Sequence, residues 1–147
     1  MATVKKILCP LELWEEKTTK ILDYAAMMAK TFGAELILVH VTPTFDEYTR
    51  ASVVLASATT LEEEILEESE AKMKKLLNSS KLKDIKATNM LVKGSAAEAI
   101  LEAAKKQKAD MIVMGTHARG AVGRVLFGSV AEKVVRTSPI PVVTVRP

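Results

Sequence analysis

Short apolar runs rich in Val, Ile and Leu recur at residues 5–10 (KKILCP), 34–41 (AELILVHV), 85–92 (IKATNMLV), 109–115 (ADMIVMG) and 141–145 (PVVTV). Their length and β-branched content mark them as strands. Between them apolar positions recur every three or four residues, the spacing of a helix with one buried face. In the first such stretch Ile21, Ala25, Met28, Ala29 and Phe32 share a face, and Gly33 follows where a helix would stop. In the second, Leu61, Ile65, Met73, Leu76 and Leu77 form the stripe; glutamates crowd its first half and lysines its second, which suits the helix macrodipole. Glu68 with Lys72 and Glu70 with Lys74 fall at i,i+4, so this charge run reads as a solvated helix face. The third helix opens on Ser95-Ala-Ala-Glu98, a capping box, and buries Ile100, Ala103 and Ala104; the fourth opens on a second box, Ser129-Val-Ala-Glu132, and ends before the prolines of SPIPVV.

Strand and helix thus alternate as a βα repeat, an α/β fold whose connections force a mainly parallel sheet with helices on both faces. KILCP and MIVMG are the most continuously apolar runs and are predicted to be central, whereas IKATNMLV alternates and reads as an edge. In such a sheet a ligand sits beyond the carboxyl ends of the strands where their order reverses. With the first and fourth strands adjacent there, the crevice would lie between Pro10-Leu11-Glu12 and the stretch from Gly115 to Ser129. Residues 43–57 fit no element well; that is long for a plain loop, and they are read as mobile, partly helical or a contact surface.

The chain of 147 residues is expected to be one domain, residues 1–147, large enough to bury a core without metal or disulfide. No apolar run approaches the ~18 residues of a membrane span, MATVKKILCP lacks the pattern of a secretory signal, and a single cysteine, Cys9, leaves no partner for an internal disulfide. A cytoplasmic location is expected, with neither membrane nor nucleic acid as partner. The formal charge of +3 is a small surplus, and 4% aromatics leave few stacking platforms. Neither His40 nor His117 has further ligands at metal spacing, so no metal site is expected; His40 reads as a satisfied structural histidine and Cys9 as a core residue. No Ser-His-Asp, Cys-His or acid/base set stands out, so no catalytic residue is assigned. Receiver, flavodoxin, Rossmann dehydrogenase and P-loop signatures are all missing from the loops where they belong.

One loop carries candidate chemistry. A polyanion needs bare backbone N–H groups and a helix N-terminus aimed at it. MGTHARGAVGRVLFGSVAEK (114–133) offers Gly115 to turn off the strand, Arg119 and Arg124 for charge, and Gly128-Ser129 at the start of a helix. Taken alone, these residues serve equally well as a strand end and a helix cap.

The wider pattern adds to this. ILCP with an acid two positions on, ELILVHV, VKGSAAEAI and the block from MIVMGTHARG to PVVTVRP follow one another in order, and in this the chain resembles the universal stress protein family. In the nucleotide-binding branch of that family the last block carries Gly, two residues, Gly, nine residues, then Gly-Ser or Gly-Thr. Gly115, Ala118 and Gly128-Ser129 match that spacing with one substitution. The resemblance implies a five-stranded sheet in the order 3-2-1-4-5, Rossmann-like and akin to the adenine nucleotide alpha hydrolases. It also implies a homodimer through the last strand and binding of ATP or a related nucleotide such as AMP. Adenine and ribose would lie near Pro10, Leu11, Glu12 and Val41, and phosphates against Met114, Gly115, Ala118, Gly128, Ser129 and Val130, with Ala131 next in line. His117 and Arg119 are further candidates within the loop, and Mg2+ would enter with a triphosphate, held mostly by phosphate oxygens and water.

Three positions depart from the pattern. Ala118 puts a methyl where the second glycine belongs, at a cost of roughly 1 kcal/mol if positive φ is required there. Glu12 replaces the usual aspartate with a longer arm, and Trp14 stands where the family is commonly small. The expected role is a dimeric nucleotide-dependent switch or reservoir in stress response rather than an enzyme. The alternative is an interaction module of the same fold that has lost the nucleotide. Independently of the resemblance, the apolar strand at Val142 to Val145 would be an open edge if left unpaired, and pairing with its own copy closes it.

Overall fold

The computed structural model describes residues 2–13, 18–42, 55–116 and 128–146, and the side chains of these except 55–60. Its elements are β1 (Lys6–Pro10), α1 (Thr18–Phe32), β2 (Glu35–Thr42), α2 (Leu55–Leu77), a 3₁₀ turn (Ser80–Leu82), β3 (Ala87–Lys93), α3 (Ala96–Gln107), β4 (Met111–Gly115), α4 (Ser129–Thr137) and β5 (Val142–Val145). The strands form one parallel sheet in the order β3-β2-β1-β4-β5, as the resemblance implied. β1 and β4 are central and β3 is an edge.

Alternation along each strand divides the core into two layers. Ile7, Cys9, Leu36, Leu38 and Val113 face α1, Met73 of α2 and Leu82. Leu8, Ile37, Val39, Ile112 and Met114 face the small residues Ala97, Ala103 and Ala104 of α3 and Ala131 and Val134 of α4. At the amino end Asp110 ties β1 to β4: its carboxylate accepts the N–H groups of Lys5 and Lys6 at 2.9 and 3.0 Å, and its own N–H donates to Lys6 O at 2.8 Å.

The helices differ in places from their sequence patterns. α1 does end at Gly33, which takes φ +64, but Phe32 is turned out and 46% exposed. On α2 Met73 is buried and Leu61 exposed, and its first turns begin at Leu55, so the last residues of 43–57 are helical; residues 43–54 lie outside the described residues. The Glu68–Lys72 pair forms at 3.5 Å, while Glu70 and Lys74 do not pair. Neither capping box closes. Ser95 is the N-cap of α3, but its hydroxyl makes no cap bond and Glu98 reaches Lys133 of α4 instead. In α4 the N-cap is Gly128, one residue earlier than expected, and Ser129 is the first helical residue.

Candidate functional site

The sheet opens where its order reverses. β1 pairs with β2 along all of Lys6–Pro10 but with β4 only at Ile7 and Leu8, so the β1–β4 ladder stops short of both carboxyl ends. Pro10 is part of the reason. Leu11 donates its N–H to Val39 O on the β2 side at 2.8 Å; by strand alternation the residue before it faces β4, and as proline it has no N–H to give. The crevice is therefore written into the end of β1.

Two side chains then fix the chain leaving β1. His40, buried on β2, bonds through Nδ1 to Leu11 O at 2.8 Å, and Thr18, buried in the first turn of α1, donates its hydroxyl to Glu12 O. His40 is thus a satisfied structural histidine, as expected, and one that positions the crevice wall. Leu11 is buried in the α1 layer, so only its backbone faces the opening; Pro10 and Val41 are half-buried, and Glu12 is exposed.

On the other wall Met114 is buried in the α3–α4 layer. Gly115 does not turn the chain, contrary to the expectation: it has no positive φ and continues β4 paired with Val145. What favours glycine there is packing: a Cβ would meet Ile21 Cδ1 at 2.5 Å, so the Ile21 side chain would have to shift. Thr116, the next residue, is 4% exposed, donates its N–H to Val145 O and accepts the N–H of Gly128, both at 3.1 Å. That bond seats the start of α4 at the carboxyl end of β4. The N–H groups of Ser129, Val130 and Ala131 find no acceptor among the described residues, and no side chain caps them. The buried Thr116 hydroxyl also lacks a partner among the described residues.

His117, Ala118 and Arg119 lie outside the described residues, as do Arg124 and Trp14. Cys9 is fully buried, and burial pushes its thiol up to about 12, so it is an inert core residue. Among the described residues no three His, Cys, Asp or Glu cluster as a metal site, and no helix is long and apolar enough to cross a membrane.

The β1–β4 pairing thus stops short of the carboxyl ends, and on one side stands a helix start whose first amides have no acceptor among the described residues. The model of the universal stress protein family matches residues 3–146. The chain belongs to the universal stress protein family. Universal stress protein MJ0531 of Methanocaldococcus jannaschii is 32% identical over 143 residues, covering 97% of this chain and 82% of that one. The solved structure of MJ0577 from the same organism superposes with a TM-score of 0.82 at 26% identity, covering 99% and 98% of the two chains. The universal stress protein from Archaeoglobus fulgidus in complex with dAMP shares the fold at a TM-score of 0.63 and 19% identity over 97% and 98%. A further universal stress protein, in complex with cAMP, shares it at 0.63 and 21% over 98% of both chains.

Sequence reasoning did not find Thr18 and Thr116. Thr18 lies outside the quoted pattern and Thr116 falls on one of its unspecified positions, and their roles depend on which carbonyl or amide the fold brings to them. Thr116 directly follows the glycine and carried the only available signal, a hydroxyl between a strand end and a phosphate-type loop.

Proposed function

We propose that this universal stress protein binds an adenine nucleotide, ATP or AMP, in the β1–β4 crevice. The observation that carries the reading is the start of α4: three amides without acceptors among the described residues, held by the Thr116–Gly128 bond at the carboxyl end of β4. A helix N-terminus in that state favours a phosphate through N–H donors and the macrodipole together. The amides of Ser129, Val130 and Ala131 would hold phosphate, with Met114, Gly115 and Gly128 as backbone neighbours. Pro10, Leu11, Glu12 and Val41 would border adenine and ribose. Ala118, His117 and Arg119 are assigned to the phosphate side from their place in the loop. The dAMP and cAMP complexes of family members support the ligand class.

A triphosphate would bring Mg2+ with it, coordinated by phosphate oxygens and water. The proposed role is a cytoplasmic, dimeric, nucleotide-dependent switch or reservoir in stress response, without fast turnover, because the sequence offers no recognisable acid/base set. Support for the dimer comes from comparing the two sheet edges. β3 carries Lys93, Asn89 and Thr88 facing solvent and an ion pair from Lys93 to Glu62, devices that discourage edge pairing. Residues 138–145 hold no charge at all, so β5 is the edge that a second copy would extend.

Ala118 favours the other reading, a module of the same fold that no longer binds nucleotide. Titrating the apo protein with Mg-ATP and AMP while following melting temperature separates the two. A rise that saturates, as preferential binding to the folded state requires, supports binding; no rise at millimolar nucleotide, with one restored by Ala118→Gly, supports loss.

A further inference from the structure

Because every strand is parallel, all strand starts and all helix ends lie at one end of the molecule, opposite the crevice. Lysines gather there. Lys30 closes α1, Lys74 and Lys75 close α2, and Lys105 and Lys106 close α3. Favourable interaction with the helix dipole accounts for these five. It does not account for Lys5 before β1, Lys83 and Lys86 before β3, or Lys108 before β4, which stand outside the helices and are all exposed. Lys86 reaches Glu35 only at 3.8 Å and Lys106 pairs with Glu102, but the other seven make no ion pair among the described residues. The acids at this end are few. Asp110 is engaged with backbone amides, Glu35 with Lys86, Glu102 with Lys106 and, near Lys30, Asp23 with Lys81, leaving Asp84. The chain's acids instead lie mostly at the helix starts and along α2, which is why a net charge of +3 hides the asymmetry.

We propose that this basic end docks on an anionic lipid surface. Within the same rim, one turn or less from Lys30, Phe32 is 46% exposed at the last residue of α1. A cluster of lysines around an outward aromatic supplies the two attractions that peripheral attachment needs, charge to the headgroups and an apolar side chain in the interface. A nucleic acid fits less well. The rim has lysines rather than arginines among its unpaired cations, and Phe32 is its single exposed aromatic among the described residues, too little for stacking on successive bases. Docking this way leaves the crevice facing the solvent.

The test is sedimentation of the full chain with vesicles of phosphatidylcholine alone or with about a third phosphatidylglycerol, an anionic lipid, alongside duplex DNA and single-stranded RNA of similar charge. The protein is expected to pellet with the anionic vesicles only, and less so as salt rises. Lys83→Glu with Lys105→Glu should weaken binding by at least about tenfold, while Lys20→Glu with Lys133→Glu, the same charge change at the opposite end, should have much less effect. Phe32→Ser should weaken binding several-fold with charge unchanged. Circular dichroism and melting confirm that each variant is folded. The proposal is overturned by failure to bind anionic vesicles at low salt, by equal effects of the two double variants, or by tighter binding to either nucleic acid than to the vesicles.

Discussion

Gly115 sits in the most specific part of the family pattern, yet its backbone is ordinary strand. The perturbation that tests its role is Gly115→Ala. The new methyl would lie 2.5 Å from Ile21 Cδ1, 3.4 Å from Ile21 Cγ1 and 3.9 Å from Val145 O. Carbon–carbon contact is comfortable at about 3.5 Å or more, so the Ile21 terminal methyl must retreat by about 1 Å. Ile21 is only 7% exposed in a packed layer, and overpacking of this kind costs about 1–3 kcal/mol. No φ penalty is added. Ile21→Val removes the offending methyl, costing about 0.5–1.5 kcal/mol by itself. Adding Gly115→Ala to that background should then cost little, a favourable coupling of about 1 kcal/mol or more. Urea unfolding of the four proteins, at one fixed protein concentration because association shifts the midpoint, gives the cycle. Strict additivity, or a Gly115→Ala protein as stable as the parent, would refute close packing as the reason for this glycine.

Other consequences can be checked the same way. Ser69 is fully buried on α2 and its hydroxyl has no partner, so Ser69→Ala should stabilise by about 1 kcal/mol in urea unfolding; a loss of stability would count against it. Thr116→Val should likewise raise apo stability, but reduce the nucleotide-induced rise in melting temperature if the hydroxyl serves the phosphate side; an unchanged rise would remove Thr116 from that role. The Cys9 thiol should resist a disulfide reagent at pH 8 in the folded state and react on unfolding; fast labelling of folded protein would contradict its burial. Since folding raises that thiol from 9.0 to about 12, the unfolded chain loses the proton first. Its contribution to stability is full below pH 9.0 and should be lost progressively as pH climbs toward about 12. Urea midpoints measured across that window, compared with Cys9→Ala, isolate the effect.

The strands were legible because burial on both faces makes the central ones continuously apolar, and the end of α1 because glycine at position 33 suits a helix stop. The cap of α4 was placed one residue late because Gly128 and Ser129 both suit an N-cap, and only the backbone geometry, with Gly128 at φ −61 and ψ 147, decides between them. The reason for Gly115 was out of reach, since it depends on Ile21 across the layer. Phe32 continues the spacing of a buried face but belongs to the last turn, where the helix has run past the core. The basic end could be seen only after the topology brought strand starts and helix ends together from separate parts of the chain.

Crystals grown or soaked with AMP or Mg-ATP would show whether the amides opening α4 receive a nucleotide's phosphate. Phosphate oxygens are expected within hydrogen-bond distance of the Ser129, Val130 and Ala131 N–H groups, with the base between Pro10 and Val41. A crevice without nucleotide at saturating concentration, or a nucleotide bound elsewhere, would contradict the proposed binding.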